Sequence, residues 1–162
     1  MTASPDRRSE REQLTDLLRT YADGVDQRDW TLARSVFTDD AVLDYSSVGV
    51  AAGPVDEVLA RLATLLGPVT MTSHLLSNHA FEVDGDRATT RVALLNPFVI
   101  ATDDRTDVLL FGGRYDDRWR RTAAGWRIEH RTHTGTWHAG PIAGGLSSAA
   151  LATASPDART AP

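Results

Sequence analysis

A few side chains in this sequence carry proton-transfer chemistry at positions where the pattern calls for core. Tyr21 lies in the middle of an apolar stripe, and Asp26 follows five residues later on the stripe's edge. Asp26 falls near the end of the helix that the stripe predicts, where the negative pole of the helix disfavours a charged carboxylate. An acid there is poised to hold a proton or to pair with a cation. Tyr45 ends a short predicted strand, LDY, in which Asp44 points to the opposite face. His74 and His79 fall five apart in one predicted strand, so alternation puts them on opposite faces and at most one looks into a pocket. Imidazole, carboxylate and phenol are the groups that move a proton near neutral pH. Each also has an ordinary role: a tyrosine packs with its hydroxyl at the core's edge, an aspartate caps a helix end, a histidine packs or faces solvent. Singly, none of these residues carries a function.

Other chemistries find less in the sequence. Cysteine is absent, which removes thiol catalysis, disulfides and thiolate metal sites together. There is no G-x-S-x-G nucleophile elbow and no phosphate-cradling glycine loop. His130 and His133 are an odd number apart on one predicted strand and point to opposite faces. His74 with Asp26 and Asp44 could supply metal ligands, but at no recognised spacing. Neither a metal nor a cofactor is expected.

The elements that must position these residues are legible from periodicity. Ser9 and Glu12 form a capping-box pattern, and Leu14, Leu17, Leu18, Tyr21, Ala22 and Val25 recur at helical spacing to about Gln27. Asp29 caps a second predicted helix, Trp30 to Phe37. The Asp39-Asp40 pair marks a turn before a short strand, Ala41 to Tyr45, and Gly49 to Pro54 reads as a loop. Val55 to Leu66 is again helical and stops at Gly67-Pro68. Thr70 to Val83, Arg87 to Ile100, Val108 to Arg120 and Trp126 to Trp137 read as four strands. Asp84-Gly85, Asp103-Asp104 and Ala123 to Gly125 are the turns between them. Hairpin-linked strands of this kind make a curling antiparallel meander. Helices gathered at the start cover one face of it, which gives a cone-shaped α+β barrel.

At 162 residues the chain is long enough for one domain, and its 41% apolar and 24% charged residues are those of a globular protein. We read residues 1–8 as a disordered arm, 9–138 as the domain, and 139–162 as a flexible Gly/Ala/Ser-rich tail. A net charge of −5 argues against nucleic acid as a partner. No apolar run suits a membrane span, and the polar start MTASPDRRSERE is unlike a signal peptide, so a cytoplasmic address is expected.

The stretch YADGVDQRDWTLARSVFTDDAVLDY resembles the opening of SnoaL-like proteins of the NTF2-like superfamily. That group includes scytalone dehydratase, bile-acid 7α-dehydratase, ketosteroid isomerase and aromatic polyketide cyclases. TSHLLSNHAFEVDGDRA is similar to the family's histidine strand, and GGRYDDRWRRTAAGWRIEHRTHTGTW to its last hairpin, so the resemblance spans roughly residues 10–138. It implies that Tyr21, Asp26 and His74 match the bile-acid dehydratase pattern, and that Asp26, Tyr45 and His74 match three residues of scytalone dehydratase. In those enzymes the aspartate orients the histidine, the histidine shuttles the proton, and the tyrosines polarise a carbonyl. This sequence also departs from the family. Phe98, after Asn96 and Pro97, stands where scytalone dehydratase has a second pocket histidine. Arg114 and Asp116 fall near its serine and asparagine, and the base of ketosteroid isomerase aligns with Tyr45, beside Asp44.

The resemblance and the residues together imply a dehydratase or isomerase acting on a small hydrophobic cyclic carbonyl compound, polyketide- or terpenoid-like, of natural-product biosynthesis. His74 would be the base, Asp26 its partner, and Tyr21 and Tyr45 the donors to a developing enolate. Asn96, Arg114 and Asp116 would contact the substrate, with Leu94, Phe98, Phe111 and Trp137 as walls. A polyketide cyclase closing a ring by aldol chemistry is the first alternative, and a non-catalytic small-ligand binding module the second. A homodimer or higher oligomer is expected through the open face of the sheet.

Overall fold

In the computed structural model, which describes residues 9–101 and 103–140, helix α1 (Glu10–Gln27) begins at the predicted capping box. The Ser9 hydroxyl accepts from the Glu12 amide at 3.3 Å, and the Glu12 carboxylate accepts from the Ser9 amide at 2.6 Å. Leu14, Leu18, Tyr21 and Val25 are buried along its inner face. At its end Arg28 takes a left-handed backbone conformation (φ 61°), and its guanidinium donates to the carbonyls of Val25 at 2.8 Å and Val69 at 3.1 Å. These bonds satisfy an open helix end. They also tie that end to the segment leading to residue 74, which brings Asp26 to His74.

Helix α2 (Trp30–Arg34) is shorter than the pattern predicts, although Asp29 caps it, accepting from the Leu32 amide at 2.8 Å. Strand β1 (Phe37–Asp44) takes over early. The Asp39-Asp40 pair stays extended instead of turning: both residues are exposed, and a bulge between Phe37 and Val42 accommodates them. A 3-10 turn (Ser46–Val48) and β2 (Ala52–Pro54) occupy the predicted loop, and α3 (Val55–Leu65) follows as expected. The strand predicted from Thr70 to Val83 is two strands, β3 (Met71–Thr72) and β4 (Leu75–Asp84). They part at Ser73 and His74, where the His74 amide donates to Asp26 rather than to a neighbouring strand.

Strands β5 (Arg87–Ala101), β6 (Thr106–Thr122) and β7 (Gly125–Ala139) complete the meander, its first turn made by Gly85 at φ 56°. The sheet order is β2-β1-β7-β6-β5, with β3 and β4 both paired to β5, and all neighbours are antiparallel except β1 and β7. The sheet is curved and unclosed, and the helices fill its concave side, the cone-shaped α+β architecture expected. The core runs between Leu14, Leu18 and Val25 of α1, Val58 and Leu62 of α3, and Val92, Trp119 and Ile128 of the sheet. Val108, Leu110 and Trp137 are exposed on the outer side, with Met71 and Leu75 at the adjoining edge. Among the described residues no helix is long and apolar enough to cross a membrane. The predicted arm, and the predicted tail from residue 141 onward, lie outside the described residues, while Ala139 closes β7.

Gly24 sets the approach of α1 to α2. A Cβ there would lie 2.5 Å from the Ala33 backbone nitrogen and 2.8 Å from its Cα, and backbone cannot swing aside. We predict that Gly24→Ala lowers stability by about 1–3 kcal/mol in urea unfolding, overpacking outweighing the better helix propensity of alanine. An unchanged or raised midpoint would show that the two helices have slack.

Candidate active site

Asp26 grips His74 twice. One carboxylate oxygen accepts from the His74 backbone amide at 2.8 Å, and the other lies 2.6 Å from the ring Nδ1. The His74 side chain is 4% exposed and that of Asp26 22%. With Nδ1 engaged, Nε2 is the ring's working end, and it lies 3.3 Å from the amide of Asn96. One orientation satisfies both its ends: the nitrogen donates to the carbonyls of Ser73 at 3.1 Å and Pro97 at 3.3 Å, and the oxygen faces Nε2 as an acceptor, whereas the opposite turn sets the oxygen against those two carbonyls. The Thr72 hydroxyl bonds the same amide, holding it against β3.

His74 and Asn96 line a cavity between α1, α3 and the sheet, which Tyr21, Tyr45, Phe98, Phe111, Tyr115 and His133 also enclose. The Tyr21 and Tyr45 hydroxyls are 2.7 Å apart, so one donates to the other, and the Tyr115 hydroxyl bonds Tyr21 as well. Burial raises the pKa of both, and of Tyr115, so all three are donors at neutral pH. Beneath them Arg131 is fully buried, its guanidinium bonded to Asp117 at 2.7 and 2.8 Å and lying 4.3 Å from the Tyr21 ring centre and 4.2 Å from that of Tyr115. Burial opposes the charge on Arg131, but Asp117 outweighs it and keeps the guanidinium protonated. The cavity is small, about 60 Å³. Cavities that admit benzene are ~150 Å³, and Val48, Val50, Leu62, Leu65 and Leu66 make the apolar wall of this smaller one.

His133 is the other histidine of the cavity. Its ring stands edge-on to Tyr115 at 4.8 Å and to Tyr45 at 5.1 Å, and neither nitrogen has a hydrogen-bond partner among the described residues. Burial, with the nearby charges of His74 and Arg131, lowers its pKa from 6.5 to about 3. Two histidines thus share one cavity in different environments, one paired with a carboxylate and one held neutral.

The structure brings Tyr21, Tyr45, His74, Asn96, Phe98 and Phe111 together around the cavity, with Asp26 behind His74. It places Arg114, Asp116 and Trp137 elsewhere. On β6 the residues of Phe111's parity, Tyr115 and Asp117, face inward. Arg114 and Asp116 share the outer face, where Asp116 pairs with Arg91 at 2.5 Å and Arg114 at 2.8 Å. A bulge where Gly112 and Gly113 face Trp137 and Gly135 turns Trp137 out over Gly112, leaving it 49% exposed. Leu94 is buried but does not line the cavity. Sequence reasoning passed over Tyr115, Asp117 and Arg131, and weighed His133 only as a metal ligand. Alternation from Phe111 would have found the first two. The other two follow a bulge between Ile128 and His130 that reverses the facing of β7, so Ile128 points inward and so do Arg131 and His133. His79 is exposed on β4, beyond another bulge at Asn78 (φ 51°). Among the described residues no three histidine, aspartate or glutamate side chains converge in a way that could hold a metal ion.

Residues 6–132 match the SnoaL-like domain. An uncharacterized protein of Mycobacterium tuberculosis is 40% identical over 126 residues, 78% of this chain and 85% of that one. Among solved structures, a protein of Kribbella flavida superposes with a TM-score of 0.73 at 30% identity, covering 83% of this chain and 95% of its own. A hexachlorocyclohexane dehydrochlorinase of Novosphingobium barchaimii superposes with a TM-score of 0.68 at 18% identity, over 81% of this chain and 89% of its own, a likeness of fold.

The depressed pKa of His133 has a consequence for stability. The unfolded chain takes up a proton near the ordinary histidine pKa of ~6.5 that the folded chain refuses down to about 3. This group's contribution is therefore fully present above pH 6.5 and is lost as pH falls from there towards 3. We predict that urea midpoints at about pH 5 and about pH 7.5 differ less in His133→Phe than in the wild type. Equal pH slopes in the two proteins would mean that His133 is charged in the fold.

Proposed function

The chain belongs to the SnoaL-like domain family, and on that premise we propose that it is an acid–base enzyme working without a cofactor, a dehydratase or isomerase for small hydrophobic cyclic carbonyl compounds. The observation that carries the reading is the 2.6 Å contact between Asp26 and His74 Nδ1, with Nε2 turned to a cavity that also holds two tyrosine hydroxyls. A carboxylate on Nδ1 fixes the tautomer that leaves Nε2 free to take a proton, and it stabilises the imidazolium that forms. In a dehydration, Nε2 of His74 removes the proton next to the carbonyl. The electron pair moves onto the carbonyl oxygen, which accepts a hydrogen bond from the linked tyrosine hydroxyls. Collapse of the enolate forms the carbon–carbon double bond and expels the β-hydroxyl, which leaves as water with the proton from the imidazolium. In an isomerisation the same proton returns to a different carbon.

Several features support this chemistry over simple binding. The tyrosines remain protonated through burial and so can donate to developing negative charge in a water-poor site. The buried Arg131 adds a fixed positive charge beneath them. The Asn96 oxygen, held by the amide's bonds to the Ser73 and Pro97 carbonyls, accepts from Nε2 when the ring is protonated and so steadies the imidazolium. A dehydrochlorinase of the same fold, which by its name eliminates rather than hydrates, is consistent with elimination as the reaction class.

The test is a panel of cyclic β-hydroxy ketones followed by NMR for loss of water. The wild type converts a member of the panel. His74→Ala lowers kcat by roughly 10²–10⁴-fold, and Asp26→Asn lowers it in the same direction with little change in KM. Full activity in His74→Ala, with folding verified by circular dichroism, would remove His74 from the mechanism.

A further inference from the structure

We propose that His133 is a second polar anchor of the cavity, a neutral imidazole that holds a hydroxyl group of the bound molecule on the β7 side while His74 works on the other. The inference deepens the acid–base reading and rests on it for the identity of the reacting end.

The other polar side chains around the cavity have partners: Tyr21 with Tyr45, His74 with Asp26, Asn96 with Thr72, and Arg131 below with Asp117. His133 is 8% exposed, and both its ring nitrogens are unpartnered among the described residues. Thr38, Trp126 and Arg131 also carry a buried polar atom without a partner, but none of the three lines the cavity, whereas His133 does. A buried polar group with no protein partner is costly to leave unmade and calls for a bond from what fills the space.

The surroundings point the ring at a ligand. Tyr45, Tyr115 and Phe111 fix its orientation by edge-on contacts at 5.1, 4.8 and 5.7 Å. On the neighbouring strand stands Gly113, where a Cβ would lie 3.3 Å from His133 Nε2 and 2.6 Å from the Thr134 carbonyl oxygen. No side chain from that position can cover the nitrogen. The Tyr115 ring, 6.5 Å from His74 and 4.8 Å from His133, lies within reach of both.

The chemistry of the ring selects the group. A neutral imidazole presents one donor and one acceptor, and a hydroxyl presents both in return, whereas a carbonyl can only accept. Phe98, Phe111 and Leu109 supply apolar wall for the ring that carries it. The substrate class is therefore a hydroxylated cyclic carbonyl compound, with the carbon that loses its proton at His74, the carbonyl oxygen at the tyrosine hydroxyls and a separate hydroxyl at His133.

The test compares 4-fluorophenol with fluorobenzene, two probes of one ring that differ in the hydroxyl, by fluorine NMR titration of the full chain. The phenol binds the wild type about tenfold more tightly, the worth of one net hydrogen bond. In His133→Phe that ratio falls to about one, and in His74→Ala it stays as in the wild type. Because the readout is binding, a failure of the proton-transfer mechanism would leave this ratio untouched, so the two ideas fail separately. A ratio retained in His133→Phe, or no binding of the phenol up to its solubility, overturns the proposal. Nitrogen-15 shifts of the His133 ring in the wild type provide the same decision without a variant. They move on addition of 4-fluorophenol and not of fluorobenzene, and a bound phenol that leaves them in place also overturns it.

Discussion

One carboxylate at the end of a helix holds the rest of the site in position. Asp26 takes both the backbone amide and the ring Nδ1 of His74, so a single side chain decides where the strand breaks and how the imidazole is turned. The break between β3 and β4 follows from the first bond, because the amide of His74 is withdrawn from the ladder. The direction of Nε2 follows from the second. For this to work the end of α1 must be fixed, and Arg28 fixes it by bonding the carbonyls of Val25 and Val69. A carboxylate at the negative end of a helix gains from a cation or a donor nearby. Here two donors of one residue meet that need.

Around this pair the cavity combines apolar walls with a polar floor, and most of the polar groups are paired with one another. Arg131 and Asp117 form a buried bidentate pair, and the guanidinium faces carry the rings of Tyr21 and Tyr115. Such a pair contributes little net stability compared with apolar packing, though breaking it leaves a buried charge exposed to a low-dielectric interior. What it adds is a fixed positive field under two phenol rings, where an enolate would form. His133 stands out in this setting as the cavity's polar group whose complement is not supplied by the protein.

How much of this was legible in the sequence depended on whether the signal was local. The capping box of α1, the apolar face of α3 and the Asp84-Gly85 turn are local, and each stands where the pattern put it. Asp26 and His74 are 48 residues apart, and periodicity alone gave each an ordinary role; their pairing came from the family resemblance. The misplacements have two causes. Strand alternation assigns a face with confidence until a bulge intervenes, and bulges have weak sequence signatures. The bulge after Ile128 sends Arg131 and His133 inward, and the one before Trp137 turns that ring out. Arg114 and Asp116 were misplaced by a single residue, which on a strand is the whole distance from pocket to outer surface. The parallel pairing of β1 with β7 joins segments far apart in the chain and has no local signal at all.

The central claim is that Asp26 fixes His74 with its proton on Nδ1, leaving Nε2 for chemistry. Long-range proton–nitrogen NMR of the His74 ring tests it most directly. The account predicts a protonated Nδ1 whose proton resonates far downfield in the wild type, and loss of that resonance in Asp26→Asn. A ring protonated on Nε2 alone, or an Nδ1 proton indifferent to Asp26→Asn, would contradict it.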